Sequence, residues 1–383
     1  MNEHNVIHLE TFKAGNSEKS PTGYTYFVPE RIDRDWTWNN QEINSLLEKA
    51  AIKLGELNSF ARLVPNIDLF IQLHVTKEAV VSSRIEGTQT KIDEAFLNED
   101  EVLPERRNDW KEVNNYIAAL NYAIAELANL PISTRLIRHI HRMLLDSVRG
   151  EFKQPGEFRT SQNWIGGSSP ADAVFVPPHH QYVNDLMGDL ENFLHNDELN
   201  VPALVRIAIA HYQFETIHPF LDGNGRIGRL LITLFLVDQQ ILAKPLLYLS
   251  SYFEKEKTLY YDNLTFVRTR NDMTQWIKYF LVGVAETAQK ASEALSNVLL
   301  LKTEFEAEIN QNLGRKSHNA NALLNYLFQK PIVHVREVEE ITGLSYKSAN
   351  DLVADFLALN ILKEMTGQSR NRVFVMEKYV NLF

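Results

Sequence analysis

The sequence contains no cysteine. That excludes a disulfide framework and any thiolate metal site. No apolar run approaches the roughly 18 residues that a membrane-spanning helix needs. The first residues, MNEHNVIHLETFKAG, hold no apolar signal core. Basic excess is missing too: 39 Lys and Arg stand against 49 Asp and Glu, a net charge of −10. This balance disfavours a general nucleic-acid or membrane binder. There are no internal repeats and no low-complexity tracts. A soluble, cytoplasmic protein is expected. With 44% hydrophobic residues over 383 positions, the chain has room for a substantial core and two or three domains.

What is there is concentrated in residues 211–229, HYQFETIHPFLDGNGRIGR, followed by the apolar run LLITLFLV at Leu230–Val237. A Gly-rich turn that feeds a buried helix is an anion site, because free backbone N–H groups and the helix dipole both favour phosphate. Gly223 and Gly225 let the backbone approach a ligand without Cβ clashes. Asn224 tolerates a left-handed conformation and can donate to an oxyanion. Arg226 and Arg229 are three apart and share a face of the first helical turn, which suits a polyphosphate. Asp222 is a hard oxygen ligand beside them, suited to Mg2+ bridging phosphates. His218, four residues before Asp222, can take a proton from an attacking hydroxyl. These are the parts of phosphoryl or nucleotidyl transfer. The stretch is not a Walker loop, since no Gly-Lys-Ser/Thr follows the glycines.

The run from His218 to Arg229 resembles the Fic signature, HxFx(D/E)GNGRxxR, with every fixed position matched. The resemblance implies a mainly α-helical bundle that transfers AMP from ATP to a Ser, Thr or Tyr hydroxyl on a target protein and on itself. It implies His218 as general base and Asp222 as the Mg2+ ligand. It puts the nucleotide phosphates on Gly223, Asn224, Gly225, Arg226, Ile227, Gly228 and Arg229. Tyr260 and Tyr261 would line the adenine side, with aromatic core packing an equal reading.

A second stretch, Ser82-Ser83-Arg84-Ile85-Glu86-Gly87, ends a predicted helix near Leu69–Ile85, with Gly87 as its C-cap and Thr90 as the N-cap of the next helix. A carboxylate in a helix's last turn opposes the dipole and calls for a partner. The stretch resembles the inhibitory (S/T)xxxE(G/N) motif of part of the Fic family, with Ser82, Glu86 and Gly87 matching. The implied mechanism is an ion pair between Glu86 and Arg229 that denies the arginine to the γ-phosphate.

Around these motifs the pattern is helical. Residues 1–39 are expected as an extended arm, with Tyr24–Ile32 lying on the body. A helix carries Leu46, Leu47, Ala50, Ala51, Leu54 and Leu57. Two more follow in residues 107–150, where His139 and His141 are expected on the solvated surface. Residues 157–178 interrupt the pattern with two short β-like runs around Gly-Gly-Ser-Ser-Pro-Ala, a predicted hairpin. The resemblance makes this hairpin a flap whose edge docks the target segment. Asn200 is predicted to cap the helix that leads into the signature, with Pro202 in its first turn.

From about Gly314 the character changes to helix, helix, turn at Gly343, helix and a hairpin around Gly367, which resembles a winged helix-turn-helix. This module carries net charge +2, with Arg370 and Arg372 on the wing but Asp351 and Asp355 beside Lys347 on the recognition helix. DNA binding is therefore not favoured over protein docking, and deleting the module is expected to leave auto-modification largely unchanged. The expected division is 1–110 for the arm and inhibitory region, 111–285 for the catalytic core, 286–313 for a linking helix and 314–383 for the winged module. Whether the chain is a homodimer stays open. Two alternatives also stay open: an enzyme of the same fold that removes AMP, and a DNA-binding regulator with a Fic-type sensor body.

Overall fold

A computed structural model describes residues 6–64, 67–367 and 372–382. The chain begins with four short strands in two small sheets. β1 (Val6–His8) pairs in parallel with β4 (Asp35–Thr37), while β2 (Gly15–Lys19) pairs antiparallel with β3 (Thr25–Pro29). The expected arm is thus partly folded upon itself. It lies on the body through the Phe27 amide, which donates to the Val176 carbonyl at 3.0 Å.

The helices follow. α1 (Gln41–Leu63) starts where the Asn40 side chain accepts from the amides of Glu42 and Ile43. α2 (Asp68–Ile85) ends at Glu86, and Gly87 takes φ +108°, the left-handed region that glycine tolerates. Three single-turn 3-10 segments then lead to α3 (Arg107–Glu126). Thr90 therefore caps no helix; Asp93 caps the first of these turns instead. α4 (Thr134–Leu144) is capped by Ser133. α5 (Val183–His195) and α6 (Ala203–Ile217) precede the Gly-rich loop, and α7 (Asn224–Asp238) leaves it. Pro202, not Asn200, occupies the cap position of α6; the Asn200 amide donates to Asp35. α8 (Ser250–Lys255), α9 (Lys257–Arg270) and α10 (Met273–Asn312) complete the body.

Every residue of α6 from Leu204 to Ile217 is buried, so this helix is the axis of the core. It packs against α5, α7 and α10, and α10 also runs along α1. The arrangement follows from composition, since a helix apolar on all sides must be covered on all sides. The predicted hairpin in 157–178 is reduced to one antiparallel bridge, Ile165 with Phe175. Gly166 and Gly167 take positive φ at its turn.

The C-terminal segment has α11 (Ser317–Gln329), β5 (Ile332–His334), α12 (Val335–Thr342), α13 (Tyr346–Ala358), β6 (Lys363–Glu364), β7 (Val373–Val375) and α14 (Glu377–Val380). Gly343 ends α12 at φ +68°. The unforeseen strand β5 joins the hairpin into a three-stranded sheet, in the order β5-β7-β6. Arg370 lies outside the described residues; Arg372 is described. Nor is this segment a bead on a linker. α10 runs unbroken from Met273 to Asn312, and α11 packs against α2, with Phe328 edge-on to Phe70 at 5.5 Å.

Candidate active site

The site is built by the turn between the two most buried helices. α6 ends at His218, which takes φ 50° and ψ 61°, a left-handed conformation uncommon for a residue with a side chain. That conformation is held from outside. Arg159 Nε donates to the His218 carbonyl at 2.9 Å, and its Nη2 donates to the carbonyls of Pro178 and Ile217 at 2.5 and 3.2 Å. Asn163 Nδ2 donates to the carbonyls of His218 and Phe220 at 3.2 and 2.9 Å. The segment after α4 thereby fixes the backbone of the loop.

The loop also holds itself. Asn224 Oδ1 accepts from the Phe220 amide and its Nδ2 donates to the Phe220 carbonyl, both at 2.8 Å. This side chain is spent on positioning the loop, while its amide stands with those of Gly225 and Arg226 in the first turn of α7, where no helical partner exists. Gly223 supplies the left-handed entry, with φ 75°. His141, placed by spacing on the surface, is instead fully buried. Its Nε2 lies 3.0 Å from the Asp222 carbonyl, its Nδ1 accepts from the Gly156 amide, and its ring stacks on Phe220 at 3.7 Å. Burial pushes its pKa down to about 4, so it serves the loop as a neutral ring. His139 stacks on Tyr122.

The two arginines are both buried and both paired. Arg229 Nη2 donates to Glu86 Oε1 at 2.8 Å and to the Ser82 carbonyl at 2.9 Å, and its Nε donates to Ser82 Oγ at 2.9 Å. The end of α2 thus meets the start of α7, as the ion pair expected between Glu86 and Arg229 requires. Burial raises the Glu86 pKa, but Arg229, with Arg226 and His218, outweighs it and leaves the carboxyl below its usual range. Arg226 Nη1 donates to Glu112 at 3.1 Å, a partner on α3 that no local pattern revealed, and Nη2 lies 3.5 Å from Asp222. Gly225 faces Glu86: a Cβ there would meet Oε1 at 2.3 Å. Gly228 is similarly closed by Glu215, while Ile227 is core.

His218 Nδ1 has no hydrogen-bond partner. Burial, with Arg159 and Arg268 nearby, pushes its pKa down to about 4, so the ring is neutral at pH 7 and able to accept a proton. Asp222 is partly exposed, its Oδ1 accepting from the Gly223 amide. Among the described residues no three His, Asp or Glu converge as a metal cluster. A lone accessible carboxylate fits Mg2+ only when phosphates and water complete the shell, which is how Mg2+ is usually held. Tyr260 is buried, its hydroxyl 2.9 Å from His211 Nε2, whose Nδ1 reaches the Gly228 carbonyl. Tyr261 is 40% exposed at the rim.

Residues 44–125 match the family model described as Fic/DOC family N-terminal, and residues 131–236 match Fic/DOC family. Over these two stretches the chain is similar to the Fic/DOC family. Over 161 residues it is 32% identical to the protein adenylyltransferase fic-1 of Caenorhabditis elegans, covering 40% of this chain and 30% of that protein. A probable protein adenylyltransferase of Aquifex aeolicus is 29% identical over 176 residues, 46% of this chain and 52% of its own. The chain therefore spans between about a third and about half of the relatives it matches. The fold is shared with a Fic family protein from Desulfovibrio desulfuricans G20, at TM-score 0.56 and 20% identity, over 88% of this chain and 96% of that one. A C. elegans Fic-1 fragment aligns at TM-score 0.52 and 22% identity, over 68% and 74%. The stretch that matches the Fic/DOC model runs from α4 into α7, which hold the loop, and the stretch that matches the N-terminal model contains α2, which ends at Glu86.

Proposed function

We propose that the chain is a protein adenylyltransferase, moving AMP from ATP to a Ser, Thr or Tyr hydroxyl of target proteins and of itself, and held off by Glu86 on Arg229. The observation that carries this reading is the one loop that presents a neutral His218, the free first-turn amides of α7 and two buried arginines within twelve residues.

The ATP phosphates lie on the amides of Asn224, Gly225 and Arg226, with Gly223 opening the turn and Ile227 and Gly228 continuing the helix beneath them. Tyr261 covers the adenine. Asp222 would hold Mg2+, which supplies charge neutralisation to the phosphates. The acceptor oxygen bonds to the α-phosphorus as the bond from that phosphorus to pyrophosphate breaks. His218 takes the hydroxyl proton, and pyrophosphate leaves with the electron pair. A bound triphosphate adds negative charge near the ring and draws its depressed pKa back up. Arg229 serves the γ-phosphate once Glu86 releases it, because both anions compete for one guanidinium.

The Ile165–Phe175 bridge region is the docking flap, offering main-chain groups to a target strand. The C-terminal helices and sheet act as a winged helix-turn-helix that docks protein in preference to DNA, and the chain works in the cytoplasm.

Labelled ATP with lysate, followed by mass spectrometry, is expected to return modified hydroxyl residues on the chain itself and on at least one other protein. If neither the wild type nor Glu86→Gly transfers label, the reading fails.

A further inference from the structure

The stripe of α2 that ends in the inhibitory contact begins in a cleft. Glu78, Ser82 and Glu86 are spaced four apart and so lie along one side of the helix. At the Glu78 end, a cleft of about 280 Å3 opens between α2, the segment leading into α8, and α10. Lys77 and Glu78 line it from α2, Tyr248 and Ser251 from the α8 side, and Lys290 from α10. The volume is just below the about 300–1,000 Å3 typical of small-molecule sites, a size for a small metabolite.

Neither Lys77 nor Lys290 forms an ion pair among the described residues. Burial lowers the Lys77 pKa, with Glu78 drawing it up and Lys290 pushing it down. The Tyr248 hydroxyl is enclosed without a hydrogen-bond partner. Glu78 offsets part of the Lys77 charge, and it also accepts from Ser250 Oγ at 2.5 Å and from the Tyr116 hydroxyl at 3.0 Å. Burial pushes its pKa up to about 7, which removes part of its negative charge at neutral pH. His74 adds no charge there, since burial holds it neutral. The cleft thus offers two ammonium groups outside the ion pairs of the described residues and an idle donor, with Glu256 and Glu286 near Tyr252 on its rim.

The cleft is also wired to the active site. Tyr116 touches both Glu78 and Ser82 in its hydrogen bonding, and Ser82 holds Arg229. We propose that this cleft binds a small anion bearing a carboxylate or phosphate group between Lys77 and Lys290, and that the bound anion strengthens inhibition by fixing α2. A ligand that bridges α2 and α10 binds best when α2 lies as it does now. It therefore favours the arrangement that seats Glu86 on Arg229, by its differential affinity for that arrangement. The coupling half rests on the autoinhibition reading above; the binding half does not.

The test uses the full chain and calorimetric titration with inorganic phosphate and, separately, with succinate. Saturable millimolar binding of at least one probe is expected, weakened about tenfold, or about 1.4 kcal/mol, by Lys77→Met and by Lys290→Met. Phosphate alone or succinate alone identifies the headgroup, and either supports the site. Lys290 is exposed, so its substitution does not threaten folding. Absence of binding by both probes overturns the proposal. So does binding that both variants retain, because that anion would sit on the α7 loop. The bound probe is then expected to lower auto-modification several-fold in wild type and to have no effect in Glu86→Gly. Equal inhibition of both proteins overturns the coupling. A chain that binds the probe but never transfers AMP would fail the proposed activity and leave the site standing.

Discussion

Glu86 Oε1 lies 2.8 Å from Arg229 Nη2, although the two residues are 143 positions apart. The arginine side chain is 1% exposed and the carboxylate 35%. The carboxylate also sits where a Cβ on Gly225 would be, over the backbone that a phosphate must approach. Glu86→Gly removes a competitor for the guanidinium and a charge that repels ATP. Auto-modification with labelled ATP is expected to rise about tenfold or more, since about 1.4 kcal/mol of relieved competition is already tenfold. Arg229→Ala breaks the same pair and loses the phosphate clamp, so it is not expected to activate. The double mutant is expected to match Arg229→Ala. A double mutant as active as Glu86→Gly would show that the pair is not what restrains the enzyme.

His218→Ala is expected to lower transfer by at least about 100-fold, the usual contribution of a positioned base. ATP affinity should stay within about twofold, because on the proposed reading the phosphates meet the amides of α7 and not the imidazole. Calorimetry and single-turnover transfer separate the two. A variant that transfers at the wild-type rate would remove His218 from the chemistry.

Four buried imidazoles have depressed pKa values: His74 and His211 at about 3, His141 and His218 at about 4. Their unfolded value is 6.5, so between about pH 6.5 and 4 the unfolded chain holds protons that the folded chain does not. Stability therefore falls as pH falls through that window. Glu78 and Glu215, raised by burial to about 7 from 4.5, act in the opposite sense, their contribution being lost as pH rises through 7. Near pH 5.5 the imidazoles prevail by about two protons, a slope of about 2–3 kcal/mol per pH unit. Urea midpoints measured from pH 7 to 5 are expected to drop accordingly; a flat profile would contradict buried neutral histidines.

The C-terminal segment is expected to matter for the helix that leads to Glu86. Phe328 is fully buried between Phe70 of α2 and Tyr379. Phe328→Ala is expected to cost about 3–5 kcal/mol. Because α2 carries Glu86, deleting residues 314–383 should change auto-modification, contrary to what a bead-like module would do. Denaturation of the point variant and labelled-ATP assays of the truncation check this. An unchanged midpoint would mean that α11 does not support α2.

Some of this was legible in the one-dimensional pattern. Helical spacing marked α1, α2 and the helices of 107–150, because apolar side chains on a helix must share a face. The Gly-rich loop was legible because left-handed turns and open backbone leave glycine behind as a trace. The resemblance to the inhibitory motif also named Glu86 and Arg229 as partners. His141 was nearly legible: it stands four residues after Ile137 and three before Leu144, on the buried stripe of α4, where a polar side chain signals a buried hydrogen bond.

Other features were decided by tertiary structure alone. Arg159 and Asn163 lie in a loop of polar residues, where nothing local distinguishes a solvated guanidinium from one that holds four carbonyls. Glu112 is one carboxylate among many on α3 until folding brings it to Arg226. Asn224 is spent on Phe220 because the loop closes on itself, and the 157–178 hairpin shrinks to one bridge because its carbonyls are claimed by Arg159 and the arm. Periodicity records which side of an element is buried. Which buried polar group meets which depends on long-range packing, and only the folded chain brings those groups together.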